Sequence, residues 1–396
     1  MRGQKKVLRN KSILLGVTGG VAAYKAVDLV RRLREEEASV TVIMTEAAKK
    51  FITPLSLEIA SQEKVHSDLF SNPPSHITLP ANADIMVIAP ATANTIAKFA
   101  RGIADNLLTT CLLSFTGKTV IAPSMNWRMY ENPVFQENLQ ILRSRGIIQI
   151  GPEKGSLACG EEGIGRMSEI PDIVETVSAA LGPKDLTGER VIVTAGPTRE
   201  YLDPIRFLSN RSSGKMGYAI AKAALRRGAD VILISGPSAL PQPKGVKFVL
   251  VETAVGMFDA VIQELPSSTL LVMSAAVSDF MPAEKAGEKI EKSAELILKL
   301  RQTPDILSEI GKRKERPFTI GFAAETGDKI ERARKKLQQK NMDMIILNDV
   351  TKAGSGFDVD TNSVVILDKD EEMSLPLMSK DSVAEAIIDR LVQLRA

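Results

Sequence analysis

Short apolar runs alternate with amphipathic segments along the first half of the chain. Apolar runs bounded by glycine or polar residues are typical of buried strands, and apolar positions spaced by three and four are typical of helices. The predicted strands are Ile13–Val17, Val40–Met44, Ile85–Ala89, Thr119–Ala122 and Ile147–Ile150. The predicted helices are Val21–Arg34, Thr92–Ala100, Asn106–Leu113, Pro133–Ser144 and Pro171–Leu181. This order predicts a parallel, doubly wound sheet.

A second alternation of the same kind follows the polar segment Gly182–Gly188, which contains both Gly and Pro. The strands predicted there are Val191–Thr194, Val231–Ser235, Leu270–Ser274, Thr319–Ala323 and Met344–Asn348. The helices are Gly217–Arg227, Ala254–Glu264, Asp305–Arg313, Ile330–Gln339 and Ser382–Leu394. The pattern predicts two α/β domains, 1–187 and 188–396, because polar Gly- and Pro-containing linkers are where domains usually separate.

Composition agrees with two domains and narrows the functional classes. At 396 residues the chain exceeds the size at which one core keeps growing. The formal charge of +3 is too balanced for strong nucleic-acid binding, and no run approaches the ~20 apolar residues of a membrane span. Two cysteines offer neither a disulfide framework nor a zinc cluster and predict a cytoplasmic protein. The basic N-terminus before Ile13 resembles a secretory signal, but glycines interrupt its apolar run.

Each domain opens with a strand followed by a glycine turn, at Gly16–Gly20 and at Thr194–Glu200. A helix start after such a turn offers unpaired N–H groups and a favourable dipole to an anion, so both turns are candidate phosphate sites. The first turn lacks the G-x-G-x-x-G spacing of dinucleotide-binding proteins. The segment Ser209–Met216 contains a Gly-Lys pair but lacks the first glycine and the final Ser or Thr of a P-loop.

Several polar residues are candidates for chemistry, and each has a simpler structural interpretation. His76 could transfer protons, although a lone histidine is more often structural. Cys159 stands in a glycine-rich segment, where an incidental cysteine is about as plausible as a functional one. Asn126 follows a strand and could bind a ligand or stabilise a turn. Asn210 belongs to a donor-rich cluster that could simply cap a helix.

Taken together, these segments resemble the bacterial and archaeal bifunctional decarboxylase-ligases of coenzyme A biosynthesis, over nearly the whole chain. The individual motifs are short, but their joint order is specific. In the first half the matching motifs are Gly16–Lys25, Thr45–Ala48, His76, Ala89–Asn94, Pro123–Tyr130 and Ala158–Gly160. In the second half they are Thr194–Glu200, Asn210–Gly217, Ala275–Asp279, Lys289–Lys292 and Gly321–Thr326. The resemblance implies a flavodoxin-like or Rossmann-like FMN-binding domain followed by a second, Rossmann-like ligase domain.

For the first domain, the resemblance implies FMN-dependent decarboxylation of phosphopantothenoylcysteine to phosphopantetheine. FMN supplies the electron sink that the loss of CO2 requires. In this family His76 would be the base, Asn126 would bind the substrate carboxylate, and Cys159 would donate a proton. The implied FMN contacts are Gly16, Thr18, Gly19, Gly20, Thr45, Ala91, Thr92, Asn94 and Asn106. Family members form trimers with the flavin between subunits.

For the second domain, the resemblance implies ligation of cysteine to phosphopantothenate through an acyl-cytidylate formed from CTP. Lys289 would stabilise the transferring phosphoryl group, and Asn210 would handle the intermediate. The implied CTP site comprises Met273, Ser274, Ala275, Asp279, Lys289, Pro304, Asp305, Ile306, Leu307, Phe322, Lys336 and Lys340. Magnesium should accompany the triphosphate, but the sequence does not assign its ligands.

The family further implies a homo-oligomer with trimeric decarboxylase contacts and dimeric ligase contacts, and a dodecamer would combine both. Two other functions remain alternatives at this point. The first is a flavin oxidoreductase or prenyltransferase domain fused to another nucleotide-binding domain. The second is a sensor without catalysis, which would have no need for a proton donor such as Cys159.

Overall fold

A computed structural model describes residues 6–71, 74–156, 160–292, 294–324, 329–348, 354–356 and 359–395. The chain forms two compact units, Lys6–Gly182 and Pro183–Ala396. Within the described ranges, no helix is long and apolar enough to cross a bilayer.

The first unit is built on a parallel sheet of five strands. The strands are β1 (Ser12–Val17), β2 (Ser39–Met44), β3 (Ile85–Ala91), β4 (Lys118–Pro123) and β5 (Ile148–Gln149). A separate hairpin is formed by β6 (Glu153–Ser156) and β7 (Glu162–Arg166). The sheet order is β2-β1-β3-β4-β5, which is the flavodoxin-like order, and it confirms the predicted fold class. The order reverses between β1 and β3, where such folds bind their ligands.

Helices cover both faces of this sheet. They are α1 (Ala26–Glu35), α2 (Pro54–Ser61), α3 (Ser75–Ala81), α4 (Ala93–Arg101), α5 (Leu107–Ser114), α6 (Trp127–Tyr130), α7 (Pro133–Ser144) and α8 (Ile170–Leu181). Successive strand residues point to opposite faces, so Leu15 joins the core beneath α1 and α8. Leu14 joins the core beneath α4, α5 and α7. Because both faces are buried, the strands read as continuous apolar runs.

The second unit has a larger sheet whose first six strands are parallel. Its strands are β8 (Arg190–Ala195), β11 (Asp230–Ser235), β12 (Lys247–Leu250), β13 (Leu270–Met273), β16 (Phe318–Ala324), β17 (Met344–Asn348), β19 (Val364–Asp368) and β20 (Glu372–Ser374). Three small ribbons pair β9 (Arg199–Tyr201) with β10 (Phe207–Ser209), β14 (Phe280–Pro282) with β15 (Leu300–Gln302), and β18 (Thr361–Asn362) with β21 (Met378–Ser379). The helices are α9 (Lys215–Arg226), α10 (Ala254–Glu264), α11 (Ile306–Gly311), α12 (Lys329–Gln339) and α13 (Lys380–Arg395).

The order of the large sheet is β12-β11-β8-β13-β16-β17-β19-β20. Its six parallel strands follow the Rossmann order, and β19 and β20 add an antiparallel edge. The Rossmann-like prediction is therefore confirmed. The sheet order reverses between β8 and β13, which places the expected ligand-binding crevice at the loops after these two strands.

Some elements differ from the sequence-based prediction. The predicted helix Val21–Arg34 is a 3-10 turn over Val21–Lys25 followed by α1. The Ala23 N–H bonds to the Gly20 carbonyl at 2.9 Å, a tight turn of the kind common at helix starts. The prediction also omitted α2, α3, the β6–β7 hairpin and the antiparallel edge. These elements are short, and so is the edge strand β12, which the prediction omitted as well.

Candidate active sites

A buried threonine joins the two loops at the switch point of the first sheet. Thr18 follows β1 directly, and its hydroxyl donates a hydrogen bond to the Pro90 carbonyl at 2.7 Å. The same oxygen accepts a hydrogen bond from the Thr92 N–H at 3.0 Å. The hydroxyl therefore fixes the loop after β1 against the end of β3. Gly19 must lack a side chain here, because a Cβ would lie 2.7 Å from the Ala47 carbonyl carbon.

Three helix starts face the same region. Thr92 is the N-cap of α4, and Asn106 is the N-cap of α5 with a complete capping box. Asn126 is the N-cap of α6, where its side-chain oxygen accepts the Arg128 N–H at 2.9 Å. Helix N-termini carry partial positive charge and exposed N–H donors. Their convergence therefore favours an anionic ligand.

These loops surround a cavity of about 940 Å³, which is large enough for a cofactor together with a substrate. Six of the nine residues predicted to contact FMN line it, namely Gly19, Gly20, Thr45, Thr92, Asn94 and Asn106. Asn126, predicted to bind the substrate carboxylate, lines it as well. Gly16, Thr18 and Ala91 lie beneath it as buried residues rather than at its wall. A Cβ on Gly16 would lie 2.8 Å from Ile88 Cδ1, so this glycine serves packing.

Basic side chains that the sequence analysis did not single out also line the cavity. Lys98 pairs with Asp105 at 2.5 Å, and this hydrogen bond lowers the pKa of the Asp105 carboxyl. Arg166 and Lys25 both contact Glu169, at 2.7 Å and 3.4 Å. Lys25 is the last residue of the first glycine motif, whereas Lys98 and Arg166 belong to no motif, and the fold brings the three together from segments that are distant in sequence.

His76 and Cys159 are not placed in the cavity by the described structure. His76 lies on α3, where its Nδ1 is buried and has no hydrogen-bond partner among the described residues. Its carbonyl accepts a hydrogen bond from the Ser114 hydroxyl at 2.6 Å. Cys159 lies outside the described residues, which resume at Gly160. Ser156, at the end of β6, lines the cavity.

The β6–β7 hairpin packs against the segment that carries Asn126. The Met125 N–H donates a hydrogen bond to the Gly165 carbonyl at 3.0 Å. A Cβ on Gly163 would lie 2.7 Å from Trp127 Cβ, so only glycine permits this close approach. The two glycines thus explain why the segment following Cys159 is glycine-rich, a feature that sequence alone left without a cause.

The second unit has an analogous arrangement at its own switch point. Thr194, at the end of β8, accepts a hydrogen bond on its hydroxyl from the Ala275 N–H at 3.2 Å. Its carbonyl accepts a hydrogen bond from the Ser274 hydroxyl at 2.6 Å. Asn210 donates from its side-chain nitrogen to the Val277 carbonyl at 3.0 Å. These bonds hold the loop after β13 against the strands and loops that precede α9.

A cavity of about 420 Å³ lies beside these loops. Six of the residues predicted for catalysis or CTP binding line it: Asn210, Ser274, Ala275, Asp279, Phe322 and Lys336. Met273 is buried in β13 beneath it. Lys289, Pro304, Asp305, Ile306, Leu307 and Lys340 are described but are not part of its lining. Gly214, at the start of α9, has a φ of +80°, which favours glycine.

Two of the residues outside the cavity lining contact each other. Asp305 is the N-cap of α11 and accepts a hydrogen bond from the Ser308 N–H at 3.0 Å. Lys340 approaches the same carboxylate at 3.0 Å. Burial alone would raise the pKa of Asp305, but the hydrogen bonds from Ser308 and Lys340 lower it overall. The ion pair therefore holds the start of α11 against the residue that follows α12.

Lys289 is exposed, and the next residue, Ile290, is hydrogen-bonded to the buried carboxylate of Asp203. Asp203 accepts the Ile290 N–H at 3.1 Å and the Arg206 side-chain Nε–H at 2.8 Å. The Arg206 guanidinium also donates to the Ile290 carbonyl at 2.5 Å. Sequence reasoning missed Asp203, although an Asp directly before Pro is a recognised turn signal. Asp203 and Arg206 together fix the backbone of Ile290, next to Lys289.

Further cations belong to the second cavity. Lys215, the first residue of α9, pairs with Asp360 at 2.6 Å. Lys380, the first residue of α13, is buried and donates hydrogen bonds to the carbonyls of Gly356 and Val359 at 3.0 and 2.7 Å. With Lys336 and Arg211, these residues give the cavity a basic lining. Such a lining suits a ligand with several negative charges.

Two family models match consecutive parts of the chain. Residues 1–182 match the family described as Flavoprotein, and residues 186–394 match the DNA/pantothenate metabolism flavoprotein C-terminal domain. The coenzyme A biosynthesis bifunctional protein CoaBC of Vibrio cholerae is 47% identical, with 96% of this chain and 98% of the relative covered. The Bacillus subtilis protein of the same name is 45% identical, with 98% of each covered.

Among solved structures, a mutant PPC decarboxylase in complex with pantothenoylaminoethenethiol is 36% identical, with a TM-score of 0.40. The match covers 43% of this chain and 97% of that chain.

Proposed function

Because the chain belongs to the family of coenzyme A biosynthesis bifunctional proteins CoaBC, we propose that its first cavity is a decarboxylation site and its second a ligation site. The chain is a bifunctional enzyme, a carboxy-lyase and a ligase. It joins cysteine to phosphopantothenate and decarboxylates the resulting phosphopantothenoylcysteine to phosphopantetheine. The observation that supports this assignment most is that each sheet has its own cavity at its own switch point.

The residues of the first cavity fit FMN. Its helix starts and the hydroxyls of Thr45 and Thr92 suit a phosphate and a polyol chain, and the crevice between β1 and β3 is where flavodoxin-like folds hold their ligand. Gly19 and Gly20 keep side chains out of this part of the cavity. When bound, FMN supplies the oxidising and reducing chemistry that makes the loss of CO2 feasible.

The protein itself binds and orients the substrate and moves protons. Asn126 binds the substrate carboxylate, which its position on the cavity wall supports. Cys159 donates the proton that completes phosphopantetheine, and its thiol suits this role because it is far more acidic than a hydroxyl. His76 acts as a base. In a trimer with the flavin between subunits, a residue remote from its own cavity could serve a neighbouring one, and this arrangement stays a prediction.

In the second cavity, the phosphopantothenate carboxylate attacks the α-phosphorus of CTP, which forms an acyl-cytidylate and releases pyrophosphate, and the cysteine amine then displaces CMP. The basic lining by Lys215, Lys336 and Lys380 supports a triphosphate there. Magnesium would offset the remaining phosphate charge. Asn210 acts on the acyl-cytidylate, and Asp279 contacts the nucleotide. Lys289 stabilises the transferring phosphoryl group, which requires its exposed segment to reach the bound nucleotide.

One assay tests both activities. Purified protein is expected to be yellow and to convert phosphopantothenate, cysteine, CTP and magnesium into phosphopantetheine, CMP and pyrophosphate, which mass spectrometry resolves. Protein that is colourless and binds no FMN on titration would contradict the first site. If phosphopantothenoylcysteine accumulated and no phosphopantetheine formed, the result would support the ligation site and contradict the decarboxylation site. The dimeric and trimeric contacts, the dodecamer and the cytoplasmic location stay predictions.

A further inference from the structure

We propose that Glu161 is a positioning residue for decarboxylation, because its carboxylate fixes the orientation of the Asn126 side-chain amide. This inference rests on the proposed role of Asn126 in binding the substrate carboxylate. Glu161 lies at the start of the β7 side of the hairpin, and Asn126 lies at the start of α6. The two residues are 35 positions apart in the sequence, so their contact depends on the fold.

Glu161 accepts hydrogen bonds from three consecutive residues of the Asn126 segment. Its Oε2 accepts the Trp127 indole N–H at 2.8 Å and, at the longer distance of 3.4 Å, the Asn126 Nδ2–H. Its Oε1 pairs with the Arg128 guanidinium at 2.8 Å. The carboxylate is half-buried, with 35% of its side chain exposed, so these contacts are only partly screened by water.

These contacts determine which way the Asn126 amide points. Its Oδ1 accepts the Arg128 N–H at 2.9 Å as the cap of α6, and its Nδ2 faces Glu161. A flipped amide would place an N–H against the Arg128 N–H and an oxygen against the carboxylate, and both contacts would be repulsive. Glu161 and the helix cap therefore select one orientation, in which the Asn126 amide presents N–H donors rather than its oxygen, and N–H donors are the groups that bind an anionic substrate.

A carboxylate is required because the donors occupy both of its oxygens. A glutamine at this position would keep one acceptor for Trp127 and Asn126 but would turn an NH2 group towards Arg128. An alanine would remove the acceptors altogether. An aspartate keeps two acceptor oxygens and the charge, and a small shift of the hairpin can restore its reach. We therefore expect kcat/KM for decarboxylation to be highest with Glu at position 161 and to fall in the order Asp, Gln, Ala.

The test uses the full-length protein with bound FMN and the variants Glu161→Asp, Glu161→Gln and Glu161→Ala. The matched control is Glu162→Gln, the exposed carboxylate that directly follows Glu161 and begins β7. The kcat and KM for phosphopantothenoylcysteine are normalised to bound flavin measured by absorbance. Ligase activity of the same molecules reports on the fold of the other unit. Trp127 is the only tryptophan of the chain, so its fluorescence emission reports directly on the Glu161 contact.

We expect Glu161→Gln to lower kcat/KM per bound flavin by about tenfold to a hundredfold, the range for losing a charge-assisted hydrogen bond. Trp127 emission should shift, while flavin content, ligase activity and the control variant stay unchanged. Glu161→Asp should remain within about threefold of wild type. A residue that only supports the fold would lower flavin content and leave the rate per bound flavin unchanged, and that result would overturn the proposal.

A double-mutant cycle separates action through Asn126 from an independent effect. In an Asn126→Ala background, Glu161→Gln is expected to cause no further loss of kcat/KM. Losses that multiply would show that Glu161 does not act through Asn126 and would overturn the inference. If wild-type protein failed to decarboxylate phosphopantothenoylcysteine in the same assay, the proposed function of the first site would fail instead, and the two failures are thus distinguishable.

Discussion

The Thr18 hydroxyl accepts the backbone N–H of Thr92 at 3.0 Å, and this contact joins the loops after β1 and β3. The hydroxyl is buried and also donates to the Pro90 carbonyl. Without it, the half-buried Thr92 N–H and the buried Pro90 carbonyl would each lose a partner, and an unpaired buried polar group costs about 1–3 kcal/mol. Thr18 therefore supports the wall of the proposed FMN site from beneath.

We predict that Thr18→Val, which preserves shape and removes the hydroxyl, weakens FMN binding about tenfold. The loop that carries Gly19 and Gly20 would lose its fixed distance from Thr92. Flavin titration followed by absorbance measures the change, and ligase activity should be unaltered. The control is Thr41→Val, a half-buried threonine of β2. Equal FMN affinity in wild type and Thr18→Val would show that the loops hold their positions without this hydroxyl.

The sequence predicted the parallel sheets well because buried strands carry continuous apolar runs. Helix α7 was predicted with its observed bounds, since Pro133 marks its first turn and the apolar spacing continues to Ser144. The hairpin formed by β6 and β7 was missed because its sequence, rich in Gly and charged residues, lacks an apolar pattern. Val364–Asp368 does form an apolar run, but the prediction omitted it.

The candidate sites were predictable where a residue type is fixed by a local turn. Gly19 and Asn126 belong to loops that directly follow strands, and both line the first cavity. Asn106 also lines this cavity, but it was named from the family resemblance. Contacts between distant segments were not predictable from one sequence. Glu161 and Asp203 are ordinary acidic residues until the fold places N–H donors around them. The roles of His76, Cys159 and Lys289 came from family resemblance and remain to be tested.

The Cys111 thiol should be unreactive in the native protein. Cys111 is buried in α5, and burial raises the pKa of its thiol to about 12. At pH 8 its thiolate fraction is then roughly one in ten thousand, and the thiolate is the form that reacts. We predict that iodoacetamide leaves Cys111 unmodified in native protein and modifies it after denaturation, as peptide mass spectrometry would show. Stoichiometric alkylation of Cys111 in the native protein would contradict its burial.

Replacing the proposed proton donor should separate the loss of CO2 from the completion of the product. Cys159→Ser substitutes a hydroxyl, which donates a proton far less readily at neutral pH. We predict that this variant releases CO2 and a species two mass units below phosphopantetheine, detected by mass spectrometry under anaerobic conditions. Ligase activity should equal that of wild type. Normal phosphopantetheine formation at the wild-type rate would show that Cys159 is not the proton donor.

Asp203 and Lys289 are linked through the backbone of Ile290, so a buried carboxylate should influence ligation. Asp203→Asn places an NH2 group against N–H donors, because Oδ1 accepts from Ile205 and Arg206 and Oδ2 accepts from Ile290. We predict that formation of the proposed acyl-cytidylate, measured as the rate of pyrophosphate release, falls at least about tenfold. Decarboxylation by the same protein should be unchanged. An unaltered rate of pyrophosphate release would show that Lys289 needs no such support.

The same carboxylate predicts how the stability of the second unit depends on pH. Burial alone would raise the pKa of Asp203, but hydrogen bonds from Ile205, Arg206 and Ile290 hold it well below its usual value. A carboxyl whose pKa is lowered by folding stabilises the folded protein at pH values above its pKa in the unfolded chain, which is about 3.9 for Asp. That stabilisation is lost as the pH falls through the pKa of the folded protein. Thermal unfolding between about pH 5 and pH 3 should therefore depend less on pH in Asp203→Asn than in wild type, and the variant should already be less stable at pH 7. Asp259→Asn, which changes an exposed carboxylate of α10, should retain the wild-type pH dependence. If the melting temperatures of wild type and Asp203→Asn changed in parallel across this range, Asp203 would not be a source of the acid sensitivity. The carboxylates of Asp305 and Asp368 would then be the candidates, because their pKa values are also lowered.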